Sequence, residues 1–149
     1  MAKKTSRWQK AKVVFQPQVH KGMQAGIDRI VDAVRPTLGP FPRIVLYDRT
    51  VGKEGKPPEL LDDGGTIARR VIQIAGRDAD VGAMLVRHML WRLREEVGDG
   101  TATAAVLFDA VYDEGLRYLA SGGNAMRLRT YLEEGLRVVL NTLDEMAYK

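Results

Sequence analysis

Apolar residues recur at spacings of three and four along most of this chain, and glycine-bearing turns cut the pattern into segments short enough to fold back on one another. Val19, Met23, Ile27, Ile30, Val31 and Val34 form one such face, which Pro36 and Gly39-Pro40 bring to a stop. From Asp62, "DDGGTIARRVIQIAG" reads as a glycine-bearing loop through Thr66. It opens into a short helix marked by Ile67, Val71 and Ile74 and closed by Gly76. A long helix from about Ala79 carries two stripes, Val81-Leu85-Met89 and Val86-Leu90-Leu93-Val97, and is expected to be apolar on most sides and central to the core. Ala104, Leu107, Val111 and Tyr118 continue a further helix to "SGGN". Asn124 is then placed to cap a last helix through Leu128, Leu132, Leu136, Val139, Leu143 and Met146. The exception is "RIVLYD" at 43–48, whose β-branched run pairs naturally with "LL" at 60–61 across a Gly/Pro-rich tip. The expected fold class is therefore mainly α, a helical bundle with one small β-hairpin.

Composition narrows the function classes. The 149 residues contain no cysteine, so one compact domain must hold itself together by its core, without disulfides or thiolate metal sites, as suits a reducing cytoplasm. No window approaches the roughly 20 apolar residues of a membrane helix, and the start lacks a signal-peptide hydrophobic run. The expected location is cytoplasmic, with no membrane partner. The net charge of +4 comes from the first 12 residues, where Lys3, Lys4, Arg7, Lys10 and Lys12 stand without an acid; the rest holds 18 basic against 19 acidic residues. Residues 1–17 read as a basic flexible tail, and a nucleic-acid partner is a subordinate alternative resting on that tail alone. His20 and His88 each lack a second ligand at metal-binding spacing.

The chemistry lies in the turns. In "EEVGDGTATAAVL" (95–107), Gly98 can take the left-handed conformation that closes the long helix, Asp99 can cap the next, and Gly100 lets backbone approach a ligand closely. The first amides of the new helix then lie unpaired at the positive end of its dipole, where a phosphate binds well. An aspartate there suits Mg²⁺, which takes one or two carboxylates plus phosphate oxygens, and Thr101 and Thr103 can donate to those oxygens. A plain helix-turn-helix with an aspartate cap would use the same residues. "PTLGP" (36–40) and "LDDGG" (61–65) add two more glycine-bearing turns that could converge with the first on a metal nucleotide.

Taken in order, "TLGP", "RIVLYD", "DDGGTIAR", "VGDGTATAAVL" and "EGLRYLASGGNAMRLR" resemble the N-terminal part of the equatorial domain of the group I chaperonins, the bacterial ring-forming folding machines. The resemblance runs from about Val19 to the end and makes 18–149 a partial equatorial, ATP-binding domain. It implies ATP with Mg²⁺, and K⁺ in addition. It carries nucleotide contacts onto Thr37, Leu38, Gly39 and Pro40, phosphate contacts onto Gly100, Thr101, Ala102 and Thr103, and the magnesium carboxylate onto Asp99. Asp63 matches the carboxylate that assists attack of water on the terminal phosphate, with Asp62 beside it in the same nucleotide-binding turn.

Three departures bear on that chemistry. Asp62 stands where the family has lysine, Ala102 where it has the middle threonine of a triplet, and Phe41-Pro42 where it has Lys-Gly. The family's intermediate, apical and C-terminal equatorial parts have no counterpart here. Two expectations result: an ATP-dependent chaperonin subunit or fragment assisting protein folding, or a non-catalytic assembly module with a degenerate nucleotide site. The implied partners are other chaperonin subunits in a ring, with unfolded clients and a co-chaperonin for the full-length protein. ATPase competence is not expected of this chain alone. Apolar helix faces left uncovered are expected to make it self-associate.

Overall fold

The computed structural model describes residues 13, 15–41, 43–48 and 57–147. The basic residues of the tail, Pro42, and the hairpin tip at 49–56 lie outside the described residues. In order, the elements are α1 (Gln18–Val34), a 3₁₀ turn (Arg35–Thr37), β1 (Val45–Tyr47), β2 (Glu59–Leu61), α2 (Gly64–Arg70), α3 (Arg77–Glu96), α4 (Thr101–Ala120) and α5 (Ala125–Met146). The mainly helical class with one hairpin is the one the apolar periodicity predicts. β1 and β2 pair antiparallel, with Val45 opposite Leu61 and Tyr47 opposite Glu59.

The core is built on α1 against α3. Ile27, Ile30, Val31 and Val34 of α1 meet Ala83, Val86 and Leu90 of α3, with Ile67 and Ala68 of α2, Ala105 of α4 and Leu61 of β2 completing the cluster. The two long helices approach backbone to backbone. A Cβ added at Gly26 would overlap the Ala79 carbonyl oxygen, and one added at Gly82 would overlap that of Met23. Such contact brings more atoms into dispersion range than larger side chains would allow.

Three sequence expectations are corrected here. Gly64 and Gly65 do not form a loop ahead of α2; they are its first residues, because Asp63 caps the helix one residue earlier. The helix ends at Arg70, short of Val71, Ile74 and Gly76, and the Asp80 carboxylate takes up the amide of Ile74 at 3.0 Å in the extended link between α2 and α3. α3 starts at Arg77 and is not buried all round: Val86 and Leu90 are fully buried, while Val81 and Leu85 are about half exposed, at 57% and 46%. The small residues Ala79, Gly82 and Ala83 make the α1 contact on the same side as Val86 and Leu90, so the buried face follows the second stripe and leaves Val81 and Leu85 of the first toward the surface.

α5 behaves differently from the rest. Asn124 caps it as expected, its side chain accepting from the amides of Met126 and Arg127 at 2.8 and 3.2 Å. No residue of α5 is buried, so the helix projects from the body with its apolar stripe uncovered.

Candidate functional site

Three turns distant in sequence meet at one cleft of about 270 Å³. It is lined by Thr37, Leu38 and Gly39 at the end of the 3₁₀ turn, Asp62, Asp63 and Gly64 at the start of α2, and Asp99 through Thr103 at the start of α4. Of the sequence-predicted site residues only Pro40 is not among the lining groups; it lies exposed one position past Gly39.

Each wall has a local cause. Pro36 at the head of the 3₁₀ turn tightens the chain after α1, and the Thr37 hydroxyl donates to the Val34 carbonyl at 2.8 Å, holding Thr37 buried at the cleft floor. Gly64 is a point of close packing: an added Cβ would lie 2.6 Å from Val34 Cγ1 and 3.0 Å from Thr101 Oγ1. The three turns converge because that position carries only hydrogen.

The start of α4 differs from expectation in one respect. The residue at the N-cap position is Gly100, with φ 78°, and Asp99 precedes it, its Oδ1 accepting from the Gly100 amide at 2.6 Å. Asp99 therefore does not cap the helix, and no side chain does. The amides of Thr101, Ala102 and Thr103 stand in the first turn, where an α-helix offers no acceptor of its own, and the helix dipole is positive there. A left-handed backbone at Gly100 turns the chain sharply enough to bring Asp99 to the same opening.

Asp63 is the most constrained carboxylate of the cleft. Its Oδ2 accepts from the Thr66 amide at 2.8 Å and the Thr66 hydroxyl at 2.6 Å, and its Oδ1 pairs with Arg94 of α3 at 2.5 Å. Burial alone would raise its carboxyl. The two Thr66 hydrogen bonds and the Arg94 charge outweigh that and hold it below the ordinary carboxylate range. Asp62 and Asp99 are exposed at the rim, so three carboxylates border the cleft and Arg94 neutralises the innermost. Arg94 was missed in the sequence, where it reads as one more charge in "RLREE"; its role emerges only from α3 packing against α2.

A second cluster was also missed. Asp28 of α1 with Asp109 and Asp113 of α4 bring carboxylate oxygens within 4.8 Å of one another, braced by Arg35 on Asp109 at 3.1 Å and Gln24 on Asp113 at 2.5 Å. Burial first, then the neighbouring carboxylates, push Asp28 and Asp109 upward. The residues share no sequence motif, since the α1–α4 crossing alone assembles them.

A hairpin-bearing helical unit whose three glycine turns meet beside an uncapped helix is built like the equatorial domain of a chaperonin. The solved chaperonin gp146 from the bacteriophage EL 2 (Pseudomonas aeruginosa) shares this fold with a TM-score of 0.68 at 23% identity, over 89% of this chain and 22% of that one. In sequence the chain is 40% identical over 133 residues to "Probable chaperonin-like protein PrmG" of Gordonia sp. (strain TY-5), covering 89% of this chain and 33% of the relative. It is likewise 40% identical over 125 residues to the protein of the same name from Rhodococcus jostii (strain RHA1), covering 84% of this chain and 22% of the relative. No family model matches the chain. The chain is a divergent chaperonin-like one, and it spans a third or less of the length of these relatives. Among the described residues no helix is long and apolar enough to cross a membrane.

Proposed function

We propose that this chaperonin-like chain binds ATP with Mg²⁺ in the cleft between the 3₁₀ turn and the starts of α2 and α4, as part of a chaperonin that assists protein folding. One observation carries the reading: turns centred on Thr37, Asp63 and Gly100, far apart in sequence, line a single polar opening beside an uncapped helix start. The donor set suits a hard cation with phosphate. Asp99 offers a carboxylate, Thr101 and Thr103 offer hydroxyls, and the first-turn amides of α4 offer donors to phosphate oxygens. A polyphosphate without a cation would meet Asp62, Asp63 and Asp99 with little compensation, so the reading requires the metal. Bound Mg²⁺ would supply charge neutralisation between phosphate and Asp99. Potassium as a second cation, a ring formed with other chaperonin subunits, a cytoplasmic setting, clients and a co-chaperonin belong to the same reading at the level of the longer relatives.

Binding without turnover is the second reading, favoured by Asp63. Its two oxygens are already engaged by Thr66 and Arg94, and its lowered basicity suits orienting a water better than taking its proton. Calorimetric titration with Mg-ATP, with ATP in chelator, and with Asp99→Ala tests both. The expected outcome is a metal-dependent isotherm that Asp99→Ala weakens about tenfold or more, the scale of one lost charge-assisted ligand. No heat from the parent chain would refute nucleotide binding. Phosphate release from bound ATP would decide against the second reading.

A further inference from the structure

We propose that the pocket between α2 and α3 lined by Arg69, Arg87, His88 and Trp91 is a binding site for inorganic hydrogen phosphate. The pocket measures about 200 Å³, and no acid lines it. The Arg69 guanidinium lies over the Trp91 ring, 4.1 Å from its centroid. Stacking holds the planar fork on the indole and leaves its in-plane N–H groups free to donate. Arg87 Nη1 meets only the Met84 sulfur, at 3.5 Å, and a thioether is a weak acceptor. The neighbouring arginines are already partnered: Arg70 pairs with Glu59 and Arg92 with Glu96, each at 2.7 Å. Arg69 and Arg87 form no salt bridge among the described residues.

The donor pattern selects the anion. His88 Nδ1 lies 2.8 Å from the Met84 carbonyl oxygen. A carbonyl only accepts, so Nδ1 carries the proton, and in the neutral ring Nε2 is left as an acceptor for a ligand. The pocket therefore combines two guanidinium forks with a single basic nitrogen. Hydrogen phosphate answers both. Its two negative charges match the two guanidiniums, its ionised oxygens accept from the forks, and its one remaining P–OH donates to Nε2. At pH 8 sulfate and carboxylates have no proton to give, and a phosphate monoester has lost its second one. Size points the same way: about 200 Å³ falls below the roughly 300 Å³ at which pockets for drug-sized ligands begin, so the fit is to a free ion and not to a nucleotide. None of the four residues lines the nucleotide cleft, so phosphate binding here and nucleotide binding there stand or fall separately.

Trp91 is a local reporter, and Trp8→Phe leaves it as the chain's one tryptophan. The test is titration of that chain at pH 8 and fixed ionic strength with sodium phosphate, methyl phosphate and sodium sulfate, read by Trp91 emission. Phosphorus-31 line width reads the two phosphates independently of the indole. A saturable response with a dissociation constant of about 1 mM is expected for inorganic phosphate. Methyl phosphate and sulfate should bind about tenfold more weakly, the scale of one hydrogen bond to a charged group. Arg69→Gln and Arg87→Gln should each weaken phosphate about tenfold. His88→Ala should bring phosphate down to the level of sulfate and leave sulfate unchanged, which a merely basic surface would not do. Arg69 and His88 are exposed and Arg87 is half-buried, so the melting temperature should not move in any of the three variants. A response that does not saturate, sulfate or methyl phosphate binding as tightly as phosphate, or phosphate affinity indifferent to either arginine would overturn the proposal.

Discussion

Arg94→Met isolates what holds Asp63 in its ionised state. The substitution keeps an unbranched stem where Gly65 packs against Arg94 Cβ and Cγ, and it removes only the charge that meets Asp63 Oδ1. Two unit charges in contact near a protein surface attract by about 4 kcal/mol before desolvation. Here the side chains are 39% and 25% exposed, so water and side-chain ordering reduce the net value to about 1 kcal/mol. The lowered carboxyl of Asp63 sets the sign. Because the unfolded chain binds this proton more readily, the stabilisation is present above the ordinary carboxylate value and fades as pH falls through the folded one. Urea unfolding across pH should show Arg94→Met less stable by about 1 kcal/mol near neutrality. The two curves should converge well below the ordinary carboxylate value of about 3.9. Carboxyl NMR should show Asp63 titrating higher in the variant while Thr66 still restrains it. A stability difference that persists undiminished in acid would refute the electrostatic account and assign Arg94 to packing.

The α1–α3 contact gives a paired test by thermal melting: Gly26→Ala should destabilise by about 3 kcal/mol or more, since its new methyl has only backbone to displace. Gly115→Ala, whose methyl would meet Leu128 Cδ2 at an ordinary 3.6 Å, should instead stabilise by up to about 1 kcal/mol through helix propensity. Equal effects would contradict the close approach. At the acidic cluster, Asp28→Asn should raise stability at neutral pH by about 0.5 kcal/mol, the scale of one partly exposed charge pair. The raised carboxyl of Asp28 means that the folded chain holds this proton more tightly, so its penalty appears as pH rises through the folded value. The variant's advantage should vanish in acid, and an advantage that stays constant with pH would point away from charge repulsion.

Helix number, order and approximate extent were legible because each helix writes its buried face into the chain at a period of 3.6. The hairpin was legible from its β-branched run, and the α5 cap from Asn124. Errors fell at helix boundaries: the starts of α2, α3 and α4, and the end of α2. Asp62-Asp63-Gly64 and Gly98-Asp99-Gly100 both offer an aspartate and a glycine to the cap position, and local chemistry does not choose between them. Asp63 won at α2 because Thr66 and Arg94 both reward it; at α4 Asp99 stands one residue back, bonded to the Gly100 amide. The exposure of Val81 and Leu85 was illegible for a related reason. Hydropathy sees large side chains, whereas the α1–α3 contact was built from Gly26, Ala79, Gly82 and Ala83.

By itself, then, the sequence determined that the chain is helical, where its glycine turns fall, and that those turns hold carboxylates and hydroxyls suited to a metal phosphate. These are local properties, set by period and residue type within a few positions. That the turns centred on Thr37, Asp63 and Gly100 line one cleft, that Arg94 holds Asp63 ionised, and that Asp28, Asp109 and Asp113 crowd together was decided only by how α1, α2, α3 and α4 pack. Those outcomes depend on which backbones can touch, and that is set by the absence of side chains at Gly26, Gly64 and Gly82, which the pattern of apolar residues does not record.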